Sequence, residues 1–468
     1  MTSTRPAAQP GHPIREILRQ AWPVLISAWA GIAFAVLDTA MVGHTTAADL
    51  QAMSLAVSIY ITVFISLTGV VHALIPIIAQ HFGGRRHEQV SRAWGQGVWM
   101  ALGLSVVGGA CMVYPDAWLS MSGSIDPDVR RRIAGYLHAL ILALPAALVF
   151  RTIYALGTAI SQPRVVMTIN LASIAAKLLF NWLLIFGVAG LPAMGAVGAG
   201  LSTAIVSWLT LAAGLWAIRH QPAFAALGLR LGRPHWADQK ELLRLGIPMG
   251  GSYLIEVCAF SFMSLLIARG GVFVSGGQQI MANLIALCYM MPMALGISSA
   301  SLTAQAIGAR DHVLARRMGR AGITLAVTGA LLTAIVLITG QDLILRLYTN
   351  EAQVAIVAAA LLQIAPWFHF WDAMHCISSY LLRAYKVAVI PLILQVTALT
   401  GLGLIGGWWL GFGPAAGAIK PAADWLMPGA PTGAATMWIM AMLGLAVTAV
   451  MLFVWYGHVV HREARRQA

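Results

Sequence analysis

Three carboxylic acids lie within long apolar runs of this 468-residue chain: Asp38, Glu256 and Asp372. An ionised acid in hydrocarbon is costly, and it is kept where it faces a partner, a water-filled cavity or an ion path. Glu256 lies roughly 18 Å beyond Arg244, and Asp372 roughly 16 Å from Arg383, at the helical rise per residue. Both depths fall near the middle of a hydrocarbon layer about 30 Å thick. If their helices are neighbours, the two carboxylates share a proton or hold one cation, Na⁺ included. Either event relieves the repulsion between like charges, so occupancy can bias the protein between conformations. The plainer alternative is that each acid pairs with another group and ties helices together.

Asp38 lies roughly 28 Å from Arg19, towards the opposite face. Lys177 and Asn181 fall roughly 20 and 26 Å beyond Arg164. They are four residues apart and share one helix face. Asp38, Lys177 and Asn181 are therefore a candidate polar cluster, either a plain Lys177–Asp38 ion pair or a moving part. Arg151 reads as a structural anchor or snorkelling group. His369 and His375 flank Asp372 without a metal-ligand spacing. Cys111, Cys258, Cys288 and Cys376 all fall in apolar runs and read as small buried hydrophobes, not a disulfide framework. Met290, Met291 and Met293, beside Pro292, suit either an adaptable cavity or plain packing. The chain has no GxxxxGK[ST] loop, which argues against ATP hydrolysis.

The elements that position these residues follow from composition. The chain is 59% hydrophobic and 10% charged, where soluble proteins carry about 25% charged residues. It reads as an all-α polytopic membrane protein with no stretch left for a soluble domain. The predicted spans are 16–42, 52–80, 93–114, 132–158, 164–187, 195–218, 242–268, 278–306, 318–340, 353–383, 388–412 and 434–460. Prolines 23, 76, 145, 292, 366 and 391 mark candidate bends. The first twenty residues are polar and lack the apolar core of a cleaved signal, so the first span is expected to stay.

Charge sets the orientation. One side of the membrane receives Arg130, Arg131, Arg132, Arg269, Arg346 and Lys420, and the spans hold Arg151 and Lys177. The rest of the 29 Lys and Arg collect on the other side, so both termini are expected in the cytoplasm. The net charge of +13 comes from these short loops, which suit anionic lipid rather than nucleic acid.

The chain also repeats itself at an offset of 225 residues. LRQAWP (18–23) aligns with LRLGIP (243–248), AQHFGGR (79–85) with AQAIGAR (304–310), and Gly97 with Gly322. The match slips by one residue at LLIFG (183–187) and WLGFG (409–413). Two copies of six spans enter the membrane in the same sense. The repeat predicts two pseudo-symmetric six-helix lobes, 1–218 and 242–468, joined by a basic cytoplasmic linker at 219–241. Such parallel repeats belong to transporters that rock two bundles around a central site.

LDTAMVGH, PIIAQHFGG, FRTIYALGTAISQP, IEVCAF and WDAMHCISSYLLRAYK together resemble the multidrug and toxic compound extrusion (MATE) transporters. The last two resemble the NorM-type bacterial branch. The resemblance implies twelve helices and export of organic, mostly cationic compounds, driven by inward Na⁺ or H⁺, without a cofactor. It implies that Glu256 and Asp372 are the second-lobe cation-binding acids, with Na⁺ a candidate ligand there. Asp38 matches the first-lobe acid and Asn181 its supporting asparagine. Lys177 departs from the pattern, because many NorM-type members have another asparagine there. A fixed ammonium in that place puts a first-lobe Na⁺ site in doubt.

The expected protein is a multi-pass antiporter of the inner membrane, a monomer in contact with lipid, with no nucleic-acid partner. One rival is a lipid-linked saccharide flippase of related architecture, which needs a broader cationic groove than Arg151 and Lys177 supply. The other is an integral membrane enzyme, for which no metal or nucleophile motif is present.

Overall fold

The computed structural model describes residues 12–120, 125–188 and 190–465. Residues 1–11 of the polar N-terminal stretch lie outside them. The described residues form helices and no strand. Among the described residues eleven helices have the length and apolar character to cross a membrane, and one bent helix pair passes together as a twelfth segment. They are α1 (Pro13–Val42), α2 (Ala47–Gly83), α3 (His87–Val113), α4 (Pro127–Ala159), α5 (Pro163–Phe186) and α6 (Gly195–His220). The remainder are α7 (Trp236–Gly270), α8 (Val272–Gly308), α9 (His312–Thr339), α10 (Ala352–Leu362 with Ala365–Ala384), α11 (Val389–Gly411) and α12 (Thr432–Glu463). Eleven of the predicted spans each have one such helix, and the predicted span 353–383 falls on the bent pair.

Helix starts follow local chemistry. The Asp126 carboxylate accepts from the Asp128 amide before Pro127 opens α4, and Asp311 does the same for Leu314 at α9. These are ordinary N-caps. Proline also acts as expected where it starts a turn. α10 bends by 51° between its two parts, and Pro366 stands in the first turn of the second part, where a missing N–H costs nothing. α11 contains a π-helical stretch, Val396–Ile405. Exposed Leu332, Ile335, Val336 and Ile338 on α9 have no reason to be buried when the solvent is lipid.

The repeat is present in the backbone. Helices end at Gly83 and Gly308, restart at His87 and His312, and end again at Ala159 and Ala384. The only non-glycine residues at positive φ among the described ones are Arg85 (56°), Ser161 (61°), Arg310 (61°) and Lys386 (59°). They form two pairs at the 225-residue offset. Gly97 is pressed against Leu74, and Gly322 against Ser299. The contacted residues are again 225 apart, and a side chain at either glycine would overlap its neighbour.

The chain folds into two compact units. The first is Ile26–Leu254. In it α4 packs on α2, α3 and α6. The second runs from Ile255 onward and includes the chain before Ile26. There the second part of α10, equivalent by offset to α4, packs on α8, α9 and α12. Ile17 and Ala21 of α1 join Leu295, Leu302 and Met318 in the core of this second unit. Met291 lies against Gly329, which is packing. The linker stretch is held down within the first unit. Gln96 of α3 donates to the Arg233 carbonyl (2.7 Å) and accepts from the His235 amide (2.9 Å). Arg92 pairs with Asp238.

Candidate functional site

In the first unit, α1 and α5 bring Asp38, Lys177 and Asn181 together. Lys177 Nζ lies 2.9 Å from Asp38 Oδ1, and Asn181 Nδ2 donates to the same oxygen at 2.7 Å. The ammonium also donates to Thr203 Oγ1 at 2.6 Å and to the Ala199 carbonyl at 3.1 Å, both on α6. All three ammonium donors are therefore used. Lys177 and Asn181 are fully buried, and Asp38 is 8% exposed. The four-residue spacing on α5 made this cluster legible. Its completion by Thr203 and Ala199 was not, because nothing in the sequence sets the rotation of α6 against α5.

In the second unit, Glu256 of α7 and Asp372 of α10 lie within electrostatic reach of each other. Asp372 is 4% exposed, and among the described residues it makes no hydrogen bond or ion pair. Glu256 faces two further side chains, Arg383 from the same helix as Asp372 and Gln395 at the start of the α11 π-stretch. Tyr289 and Cys376 lie within reach of both acids. His369 and His375 are buried on α10. Among the described residues no three His, Cys, Asp or Glu side chains are grouped to hold a metal. A site for a small cation here would have to be made from the two carboxylates and neutral oxygens.

Arg383 corrects the sequence reading, which used it as the water-edge marker of its span and counted only Arg151 and Lys177 inside. It lies in the last turn of α10, 5% exposed, with its guanidinium carbon 4.5 Å from the Tyr380 ring centroid. A signal was available. Eleven residues at about 100° each make just over three full turns, so Asp372 and Arg383 share a face.

A second buried network was missed. Asp49 of α2 is 3% exposed. It pairs with Arg132 of α4 at 2.8 Å, accepts from the Ala196 amide of α6 at 3.0 Å and accepts from Thr46 Oγ1 at 2.7 Å. In sequence Asp49 looks like an ordinary acid in a first helical turn and Arg132 like a loop charge. The pair ties three helix starts of the first unit together.

Arg151 is part-exposed and lies against two aromatic rings. Its guanidinium carbon lies 5.6 Å from the Phe64 ring centroid and 5.8 Å from that of Tyr154.

Twelve apolar helices in a six-span repeat, with buried acids set in each copy, define a polytopic membrane transporter rather than an enzyme. The MatE family profile matches the chain twice, over residues 23–183 and 248–409. The matches start 225 residues apart and end 226 apart, which is the one-residue slip seen in the sequence repeat. The chain belongs to the MatE family. It is 35% identical to a probable multidrug resistance protein NorM of Aromatoleum aromaticum, over 85% of this chain and 86% of that one. It is 30% identical to the multidrug resistance protein NorM of Vibrio vulnificus over 96% and 95%. Among solved structures it is similar to the eukaryotic MATE transporter AtDTX14, with a TM-score of 0.84 and 18% identity over 97% and 98%. It is also similar to the Vibrio cholerae MATE transporter VcmN in its bent form, with a TM-score of 0.83 and 15% identity over 96% and 98%.

Proposed function

We propose that the chain is a multidrug efflux antiporter that exports organic, mostly cationic compounds in exchange for Na⁺ or H⁺ by alternating access. The observation that carries this reading is the charge imbalance deep in the second unit. Glu256 faces the one guanidinium there, that of Arg383, while Asp372 faces Glu256 and no cation. One buried negative charge is left for a mobile cation, organic or inorganic. An inorganic cation or proton arriving from outside neutralises the pair and releases the drug, and its departure inward restores the charge that recruits the next one. Exchange of one monovalent cation for another moves no net charge, so the concentration gradient of the coupling ion supplies the drive: a tenfold gradient is worth about 1.4 kcal/mol, enough for a roughly tenfold substrate gradient.

In this reading Asp38, Lys177 and Asn181 form the polar support of the first lobe, in which Lys177 takes the place of a mobile cation. The halves 1–218 and 242–468 act as the two lobes and 219–241 as their link. The protein works as a monomer in the inner membrane with both termini cytoplasmic. The test is ethidium efflux from vesicles with Na⁺ and H⁺ gradients imposed separately. One gradient is expected to drive efflux, and Glu256→Gln or Asp372→Asn to lower it at least tenfold. The reading is wrong if neither gradient moves any organic cation in the wild type, or if both variants pump normally.

A further inference from the structure

The two copies of the repeat differ in length at one place. Ser161 and Lys386, both at positive φ, stand 225 residues apart, while LLIFG (183–187) and WLGFG (409–413) stand 226 apart. The second copy therefore has one residue more between Lys386 and Trp409. The stretch Val396–Ile405 of α11 lies inside that interval and is π-helical, while its counterpart in α5, residues 171–180, is plain α-helix. No other π-helix occurs among the described residues. A backbone bond that spans five residues instead of four takes one more residue into the turn, which lets a helix absorb an insertion without breaking.

The insertion falls beside the acid pair. Gln395, the last residue before the π-stretch, is 3% exposed and faces Glu256. Its buried Nε2 donor makes no hydrogen bond of ordinary geometry among the described residues. One turn along α7 from Glu256, Phe260 joins Met263, Leu399, Gly403, Met437 and Ala441 around an apolar crevice between α7, the π-stretch and α12. The Thr397 hydroxyl donates to the Ile393 carbonyl at 3.0 Å, a side-chain bond of the kind that loosens a helix. Towards α12 the stretch is smooth. A Cβ on Gly444 would lie 2.7 Å from the Ala398 carbonyl oxygen, and one on Gly403 would lie 3.4 Å from the Ala441 Cα. With glycine at both places, no side chain blocks one backbone from turning against the other.

We propose that this π-stretch is the moving part through which a cation at the Glu256–Asp372 pair acts on its own lobe, with Gln395 as the positioning residue that links the two. A bare Glu256 carboxylate is a strong acceptor for Gln395 Nε2, and a proton or cation on the acid weakens it. The change in pull on Gln395 moves the wide turn along α11. Each residue the wide turn passes rotates by about 100° and shifts by about 1.5 Å. The proposal rests on the efflux reading above, because it says how occupancy of that site becomes motion.

The test reads distances by spin labels on genetically encoded non-natural residues, so that the native cysteines stay. Exposed Val396, Leu402 and Ile405 on α11 are labelled in turn, each against exposed Leu332 on α9. Na⁺ is added at constant ionic strength, and separately the pH is lowered. A side chain turned 100° on a helix about 10 Å across moves by about 8 Å, so at least one wild-type distance is expected to change by several ångström with one of the two cations. Two variants are compared. Deletion of Gly401, where a Cβ would meet nothing within 4 Å, restores the length of the first copy. Gln395→Met keeps the side-chain length without the donor. In both the distances are expected to stay fixed. Ethidium binding to detergent-purified variants is expected to stay within about twofold of wild type while gradient-driven efflux falls about tenfold or more, since loss of a conformational step separates turnover from binding. If the deletion does not reach the membrane, Gln395→Met is read by the same rule. Distances that no cation moves in the wild type overturn the proposal, as do distances that still respond in a variant. Normal pumping by either variant also overturns it, because the π-stretch is then a static remnant of an insertion. Failure of the wild type to move ethidium under either gradient sinks the efflux reading, while the distances still judge the moving part.

Discussion

Replacing Lys177 with asparagine removes an ammonium that is fully buried and bonded to three oxygens, those of Asp38, Thr203 and Ala199. Asp38 keeps one partner, the Asn181 amide at 2.7 Å. Breaking a buried ion pair by deleting one member typically costs about 3–5 kcal/mol, because the remaining charge is uncompensated. The asparagine variant is therefore expected to be less stable by that amount in buffer whose only cation is a bulky one such as choline. The vacated place is lined by the Asp38 carboxylate, the Ala199 carbonyl and the Thr203 hydroxyl, all hard oxygen donors of the kind small alkali cations accept. Na⁺ at a hundred times its dissociation constant would restore about 2.7 kcal/mol. The assay is thermal unfolding of purified protein at constant ionic strength, with choline exchanged for Na⁺. An Na⁺-dependent rise is expected in Lys177→Asn, beyond any the wild type shows, and is expected to disappear in Asp38→Asn/Lys177→Asn. If Lys177→Asn is as stable as wild type in choline and gains nothing from Na⁺ or a lower pH, the ammonium is not standing in for a cation.

Other perturbations follow from the same geometry. Gly195 adopts φ +52°, and a Cβ there would lie 2.5 Å from Asp49 Oδ1. Gly195→Ala is expected to cost roughly 1–3 kcal/mol through strain and the displaced carboxylate, read as a lower unfolding temperature; an unchanged one refutes it. Asp49→Asn leaves Arg132 with Asp128 alone and is expected to destabilise in the same assay, while Asp128→Asn, at a half-exposed site, does so by less than about 1 kcal/mol. Arg383→Gln removes the guanidinium that faces Glu256, so on the proposed coupling role the acid pair is expected to hold a cation more tightly. The half-saturating concentration of that cation in ethidium efflux is expected to fall about tenfold, and a rise would contradict the assigned role.

What the sequence made legible follows from periods and offsets. Twelve spans are readable because lipid removes any need for a polar face, so each helix is apolar over its whole length. The repeat is readable because two copies must make the same turns. The left-handed residues Arg85 and Arg310, and Ser161 and Lys386, mark places where both copies turn alike despite different side chains. Lys177 and Asn181 are readable because four residues make one helical turn. Contacts between helices are not periodic. The use of the first turns of α1 by the second unit and the Asp49–Arg132 pair depend on which helices meet. Arg383 was misjudged for a different reason: a basic residue at the end of an apolar run satisfies the positive-inside rule whether it points to water or back at an acid.

The two units also differ in how their buried charges balance, and this bears on which of them does the coupling. In the first unit the acid of the repeat is met by a covalently tethered cation with every donor satisfied, so no exchange there requires an ion from solution. The second unit has no such tether at Asp372, which faces another acid and no cation of its own. An antiporter needs at least one site where cations of different kinds compete, and only an uncompensated carboxylate offers that. Neutralising Asp38 alone is then expected to lower stability, because it strands Lys177, more than it lowers the efflux each folded molecule supports. Neutralising Asp372 is expected to do the reverse. Unfolding and efflux measured on the same preparations of Asp38→Asn and Asp372→Asn separate the two effects. If Asp38→Asn abolishes gradient-driven efflux in fully folded protein, coupling is shared between the units and the tethered cation is part of the cycle.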